Sequence, residues 1–149
     1  MSEPLDKPIR MKIFSLPSHL PVVRSAVEKL CEQLGFDPQT VGKIVLGLDE
    51  ALTNVIRHAY QCDGDKTIDI DLTPLGRPNP GLRIVLRDYG NAADPSKIRS
   101  RELGELRPGG LGVHIMNTCM DVVEYKPAGG CGTELTLVKY LPAARKADE

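Results

Sequence analysis

The stretch Asp37 to Tyr60, DPQTVGKIVLGLDEALTNVIRHAY, constrains the fold of this 149-residue chain more than any other. Asp37 is a favourable N-cap, and Pro38 takes the first helical position, where a missing N–H costs nothing because that donor has no partner in any helix. Val41, Ile44, Val45, Leu48, Leu52, Val55, Ile56 and Ala59 then recur in steps of three and four, which at about 100° per residue gathers them on one stripe. The spacing predicts one long helix from Asp37 to Tyr60 with that stripe in the core. Lys43, Gly47, Glu50, Asn54 and His58 fall on the opposite side, and Glu50 and Asn54 share one edge about a turn apart. A carboxylate and an amide thus face outward together, an arrangement that an ordinary solvated helix face also produces. Gly42 and Gly47 each cost about 1 kcal/mol relative to alanine inside a helix, so a close approach is expected on the Gly47 side.

The rest of the chain is one globular domain by size and by its 41% hydrophobic content. A net charge of -1, from 19 basic and 20 acidic residues, gives no electrostatic ground for a nucleic-acid or membrane surface. With no apolar run of about 18 residues and a polar beginning, MSEPLDKPIR, a cytoplasmic location is expected. Cys31, Cys62, Cys119 and Cys131 lack CxxC spacing, so they read as reduced thiols rather than zinc ligands.

Ile9 to Leu16 alternates as a strand with Ile9, Met11 and Ile13 on its buried face, and Pro17 ends it. Leu20 to Leu34 is a helix, with Ser18 as candidate cap and Gly35 as stop; its Arg24 and Glu28 read as solvated charges. Thr67 to Leu72 and Leu82 to Arg87 form a hairpin around the loop PLGRPNPG. In it, Asp69 and Asp71 alternate with isoleucine and so face solvent rather than converge on a metal. Val122 to Lys126 and Thr133 to Tyr140 form a terminal hairpin, with Leu135, Leu137 and the stem of Lys139 inward.

Two further segments carry chemistry. Asp88 follows a buried strand directly and Gly90 comes two residues later; the pair offers an acceptor at the sheet edge beside a backbone with no side chain to block a flat ligand, or else an ordinary turn. Gly109, Gly110 and Gly112 open a helix over Val113 to Met120, where free N–H groups and the helix dipole favour an anion. Between them Asn91 to Pro108 is polar, reads as a loop with one helical turn around Ser96 to Ser100, and has the length of a lid.

In chain order, ExxxN at Glu50 and Asn54, DxG at Asp88 and Gly90, GGLG at Gly109 to Gly112, and GT ending at Thr133 resemble a known family. It is the Bergerat-type ATP-binding domain of gyrase-like topoisomerases, histidine kinases and related ATPases, and more narrowly the anti-sigma factor serine kinases. The resemblance runs from the first strand to Lys139, and DEALTNVIRHAY and RPGGLGVHIMNTCMDVVEY are its most specific parts. It implies an α+β fold over residues 1–141: a two-layer sandwich whose mixed, mostly antiparallel sheet is covered on one face by about three helices. A disordered tail over 142–149 follows. It implies ATP and Mg2+ as cofactors, with Asn54 as magnesium ligand, Glu50 as the residue that activates the attacking hydroxyl, and Asp88 as acceptor for the adenine amino group. Gly90 then lets the base approach, Gly109, Gly110 and Gly112 form the phosphate loop, and the Thr133 hydroxyl lies near adenine. DYGNAADP departs from the wider DxGxG pattern by lacking its second glycine.

The function implied is a serine/threonine protein kinase that phosphorylates a STAS-domain anti-anti-sigma protein and sequesters a sigma factor or similar regulator. A homodimer is also implied. The same residues would serve a nucleotide-gated sequestration module with little or no phosphotransfer. No helix pair with a phosphoacceptor histidine accompanies the motifs, which disfavours a sensor histidine kinase.

Overall fold

Asp37 caps the central helix as its chemistry requires. Its carboxylate accepts from the amide of Thr40 at 2.8 Å and from the Thr40 hydroxyl at 3.0 Å, and these bonds hold its pKa below the ordinary carboxylate value. The computed structural model describes residues 7–90 and 108–142. In order these form β1 (Ile9–Phe14), a short 3-10 turn (Pro17–His19), α1 (Leu20–Leu34), α2 (Pro38–Asn54) and a π-helical turn (Val55–Ala59). β2 (Thr67–Leu75), β3 (Gly81–Arg87), α3 (Pro108–Cys119), β4 (Val122–Pro127) and β5 (Thr133–Tyr140) follow. Of the expected lid, Asn91 to Pro108, only Pro108 is described, and it begins α3 instead; the rest, with its helical turn around Ser96 to Ser100, and the expected tail from 143 on lie outside the described residues.

The sheet order is β1-β2-β3-β5-β4, and all four pairings are antiparallel, the limiting case of the mostly antiparallel sheet expected. Period-two alternation sends Ile68, Ile70, Leu72, Leu82, Ile84, Leu86, Leu135 and Leu137 to one face. They join Val23, Val27, Leu30, Ile44, Leu48, Leu52 and Met116 of the helices in one aliphatic core. The other face carries charge. Register places Lys12, Asp69, Arg87, Glu134 and Lys126 in one row across all five strands, with Lys12–Asp69 and Lys126–Glu134 each at 3.3 Å. Arg10 and Asp71 pair at 3.8 Å in the next row. The two strand aspartates therefore face outward and are partnered by cations, as their alternation implied.

Several expectations are corrected. The long helix does not run unbroken to Tyr60: it ends as α-helix at Asn54 and widens into the π turn, with Tyr60 N–H bonded to the Val55 carbonyl five residues back at 3.0 Å. Ser18 caps nothing, since it lies within the 3-10 turn and α1 starts without a side-chain cap. Arg24 is not simply solvated but reaches Asp49 on α2 at 2.5 Å. β1 stops at Phe14, and Ile9, at the sheet's edge, is half exposed rather than buried. Gly35 does stop α1, in the left-handed conformation that a C-terminal glycine favours.

Gly47 is buried, and a Cβ there would stand 3.3 Å from Cγ and Sδ of Met120 and 3.6 Å from Cβ of Cys119. The close approach that its position anticipated is that of α3 rather than a ligand. A Cβ at Gly42 meets nothing within 4 Å. Gly42→Ala is therefore expected to stabilise the fold by about 1 kcal/mol and raise Tm by roughly 2–4 °C, while Gly47→Ala gives no such gain. Thermal melts of the two variants test this, and equal shifts would refute the packing account.

All four cysteines are free. Burial, reinforced by Glu28 and Glu32, pushes the Cys31 thiol up to about 12, so it stays protonated and inert. No helix among the described residues is long and apolar enough to cross a membrane.

Candidate functional site

The candidate site is assembled from α2, the π turn, the end of β3 and the start of β5. Glu50 and Asn54 are both half-buried on α2, on one edge and a turn apart. The π turn begins at the residue after Asn54 and carries the chain to Tyr60 at the sheet end.

Asp88 follows β3 and is only 5% exposed. Its amide donates to the Thr133 carbonyl at 3.0 Å, extending the β3–β5 ladder by one bond, and its Oδ1 accepts from the Gly90 amide at 3.1 Å. Burial pushes the Asp88 carboxyl above the usual range; the amides of Gly90 and Thr133 and the charge of Arg87 oppose that rise. With about four lone-pair sites, a carboxylate engaged by these backbone amides keeps acceptor capacity for a donor from outside.

The structure thus brings Asp88, Gly90 and Thr133 into one corner. Gly90 is needed there for a reason internal to the fold: a Cβ would lie 2.7 Å from the carbonyl oxygen and 3.2 Å from the Cβ of Ala59, at the end of the π turn. The corner abuts the element that follows Asn54. Thr133 opens β5 and is half-buried.

The three glycines before the expected helix prove to lie within it. α3 starts at Pro108, so Gly109 and Gly110 sit in its first turn with the unpaired N–H groups of any helix start, while Gly112 is far enough in for its amide to join the helical ladder. Proline at the first position explains the earlier start, because it is pre-set for a helix and loses no bond there. The other end of α3 packs on α2 at Gly47.

Two residues outside the expected set shape the corner. Gly132 has φ +83°, and a Cβ on it would overlap the carbonyl oxygen of Asp88 and lie 2.7 Å from its carbonyl carbon. Tyr60 is 4% exposed; its hydroxyl donates to the Thr67 carbonyl at 2.6 Å and accepts from the Tyr89 amide at 2.6 Å. Gly132 was visible as the first half of the GT pair. Tyr60 carried only the general signal that a buried phenol needs a partner. On the outer side, Arg87 stacks at 4.6 Å over the Tyr89 ring, whose hydroxyl bonds Asp69.

A family pattern described as the histidine kinase-like ATPase domain matches residues 13–139. The chain is similar to the serine-protein kinase RsbW of Bacillus velezensis, at 26% identity over 146 residues, covering 92% of this chain and 88% of that protein. The serine-protein kinase RsbW of Halalkalibacterium halodurans is 29% identical over 141 residues, covering 89% and 83%. Among solved structures, that of the RsbU and RsbW domains of Rv1364c from Mycobacterium tuberculosis matches with a TM-score of 0.64 at 18% identity. It covers 92% of this chain, which spans 34% of that longer one. The histidine kinase domain from Erythrobacter litoralis matches at 0.51 and 18%, covering 97% and 71%. At those identities the two structures support the fold alone.

Proposed function

Because the chain belongs to the histidine kinase-like ATPase domain family, we propose that it is an ATP-dependent serine/threonine protein kinase that phosphorylates a small antagonist protein. The observation that carries this reading is the joining of two half-sites: the Glu50–Asn54 edge of α2 runs through the π turn into contact with the Asp88–Gly90 corner at Ala59 and Gly90. An outward carboxylate and amide at one end and a buried acceptor at the other suit a ligand with charged and flat parts. The names of the relatives, serine-protein kinases, support the transfer chemistry.

Asp88 would accept from the amino group of the base, its acceptor capacity being only partly used by Gly90. Asn54 would hold Mg2+ through its amide oxygen, a hard donor. Among the described residues no group of three or more His, Cys, Asp or Glu converges on a metal-sized point, so most of the ion's ligands would be phosphate oxygens and water. When bound, the ion would neutralise phosphate charge. Glu50, one turn before Asn54, would take the proton from the serine or threonine hydroxyl as that oxygen bonds to phosphorus and the terminal anhydride bond breaks. The amides of Gly109 and Gly110 at the start of α3 would meet phosphate oxygens. A STAS-domain anti-anti-sigma protein as substrate, sequestration of a sigma factor and a homodimeric state belong to the same proposal.

The purified chain, γ-labelled ATP, Mg2+ and a desalted, phosphatase-treated lysate of its source cells test it. A small protein carrying acid-stable phosphate is expected, with labelling lost in Asn54→Ala. In Glu50→Gln the rate should fall about 10²- to 10⁴-fold with ATP binding kept. ATP binding without labelling would instead establish a nucleotide-gated sequestration module, and acid-labile phosphate a histidine-directed transfer.

A further inference from the structure

We propose that Tyr60 is a positioning residue for nucleotide recognition, its hydroxyl setting the Asp88–Tyr89 peptide so that the Asp88 carboxylate meets the amino group of the base. The inference rests on the reading of Asp88 as base acceptor, and adds to it the group that orients it.

Three observations converge. First, the Tyr60 hydroxyl bridges two backbone groups: it donates to the Thr67 carbonyl and accepts from the Tyr89 amide, both at 2.6 Å. That amide belongs to the peptide that leaves Asp88, so the bond fixes the plane on which the Asp88 side chain stands. Thr67 is the first residue of β2, which makes the anchor rigid.

Second, the π turn is what brings Tyr60 there. It holds one residue more per turn than α2, and in an unbroken α-helix residue 60 would point roughly 100° away about the axis. Third, the same segment is held from its other sides. Gly90 lies against the Ala59 carbonyl, Gly132 against the Asp88 carbonyl, and the Asp88 amide bonds the Thr133 carbonyl. Tyr60 ties this segment to the helical layer through a side-chain bond, and that bond comes from the element leading out of Asn54. Recognition at the base end is thereby tied to the helix that carries Glu50 and Asn54.

The test is Tyr60→Phe, which keeps the buried ring and deletes only the hydroxyl. Calorimetry compares ATP with the triphosphate of purine riboside, which lacks the 6-amino group. Wild type is expected to prefer ATP, and the variant to lose about tenfold in ATP affinity with analogue affinity unchanged within twofold. A merely structural role would weaken both ligands alike and leave their ratio intact; that result overturns the inference while leaving Asp88 as acceptor. A wild type indifferent to the amino group overturns the acceptor reading and this inference with it.

If Tyr60→Phe does not fold, amide hydrogen exchange on the wild-type chain decides. The Tyr89 amide is expected to exchange at least tenfold below its intrinsic rate, and slower still with ATP bound. Exchange at the intrinsic rate, or protection that ATP leaves unchanged, would overturn the proposal.

Discussion

Gly132→Ala is expected to cost at least about 3 kcal/mol of stability and to abolish measurable ATP binding. The position has φ +83°, where an L side chain is strained, and the new Cβ would overlap the Asp88 carbonyl oxygen while standing 2.9 Å from the Tyr89 Cα. Neither neighbour is the tip of a flexible side chain. Both are backbone, and the register that opposes Arg87 to Glu134, together with the Asp88 to Thr133 hydrogen bond, leaves no slack between the strands. Relief would require breaking the first rungs of the β3–β5 ladder, and Asp88 would move with them. Gly129→Ala is the control, since a Cβ there meets nothing within 4 Å and its φ is not left-handed. Urea melts and calorimetry on the two variants check this. A Gly132→Ala protein within 1 kcal/mol of wild type would refute the account of the corner.

Asp88→Asn is expected to lower ATP affinity by about 100-fold, or roughly 2.8 kcal/mol at 1.4 kcal/mol per factor of ten. The asparagine oxygen would be claimed by the Gly90 amide, which turns its NH2 toward the amino group of the base and sets donor against donor. Stability should move the other way with pH. Burial makes the folded chain hold the Asp88 proton to higher pH than the unfolded chain, whose carboxyl titrates near the ordinary 3.8. For this group alone, stability is therefore greatest below pH 3.8, falls as pH rises from there to the raised folded value, and is flat above it. Asparagine does not titrate, so the stability of Asp88→Asn relative to wild type should improve as pH is raised through that interval. Urea melts between pH 3.5 and 7, values chosen to bracket the interval at about the ordinary carboxylate pKa and neutrality, measure the slope. An opposite slope would mean that the Gly90 and Thr133 amides outweigh burial.

Much of this was legible in the chain. The Asp37–Pro38 start, the apolar stripe of α2 and the alternation in β2, β3 and β5 each rest on local periodicity, and each appears where it was expected. The site motifs were legible as residue types, because Glu50 and Asn54 depend only on helix geometry and Asp88 only on the end of a strand. What sequence did not disclose depends on contacts between distant segments. That Gly47 receives Met120, that Gly90 receives Ala59, and that Arg24 finds Asp49 cannot be seen in any single window. The π turn is hidden for the same reason: VIRHA continues the helical stripe, and the widened turn coincides with the tertiary contacts of Tyr60 and Ala59 with residues 89 and 90. The earlier start of α3 is a boundary effect, since glycines lower helix propensity but Pro108 nucleates a first turn.

The order of the strands has a consequence for a chain still being made. β5 is inserted between β3 and β4, so the pairing that completes the Asp88 corner joins residues more than forty positions apart, Arg87 with Glu134 at the nearest rung. Contacts of such separation form late, because loop closure must precede them. A ribosome emits Asp88 well before Gly132 and Thr133, and until those arrive one wall of the corner does not exist. If Asp88 is the base acceptor proposed above, nucleotide capture would be reserved for a finished molecule: a truncated or half-threaded chain would carry Glu50, Asn54 and Asp88 yet lack the wall that completes the corner.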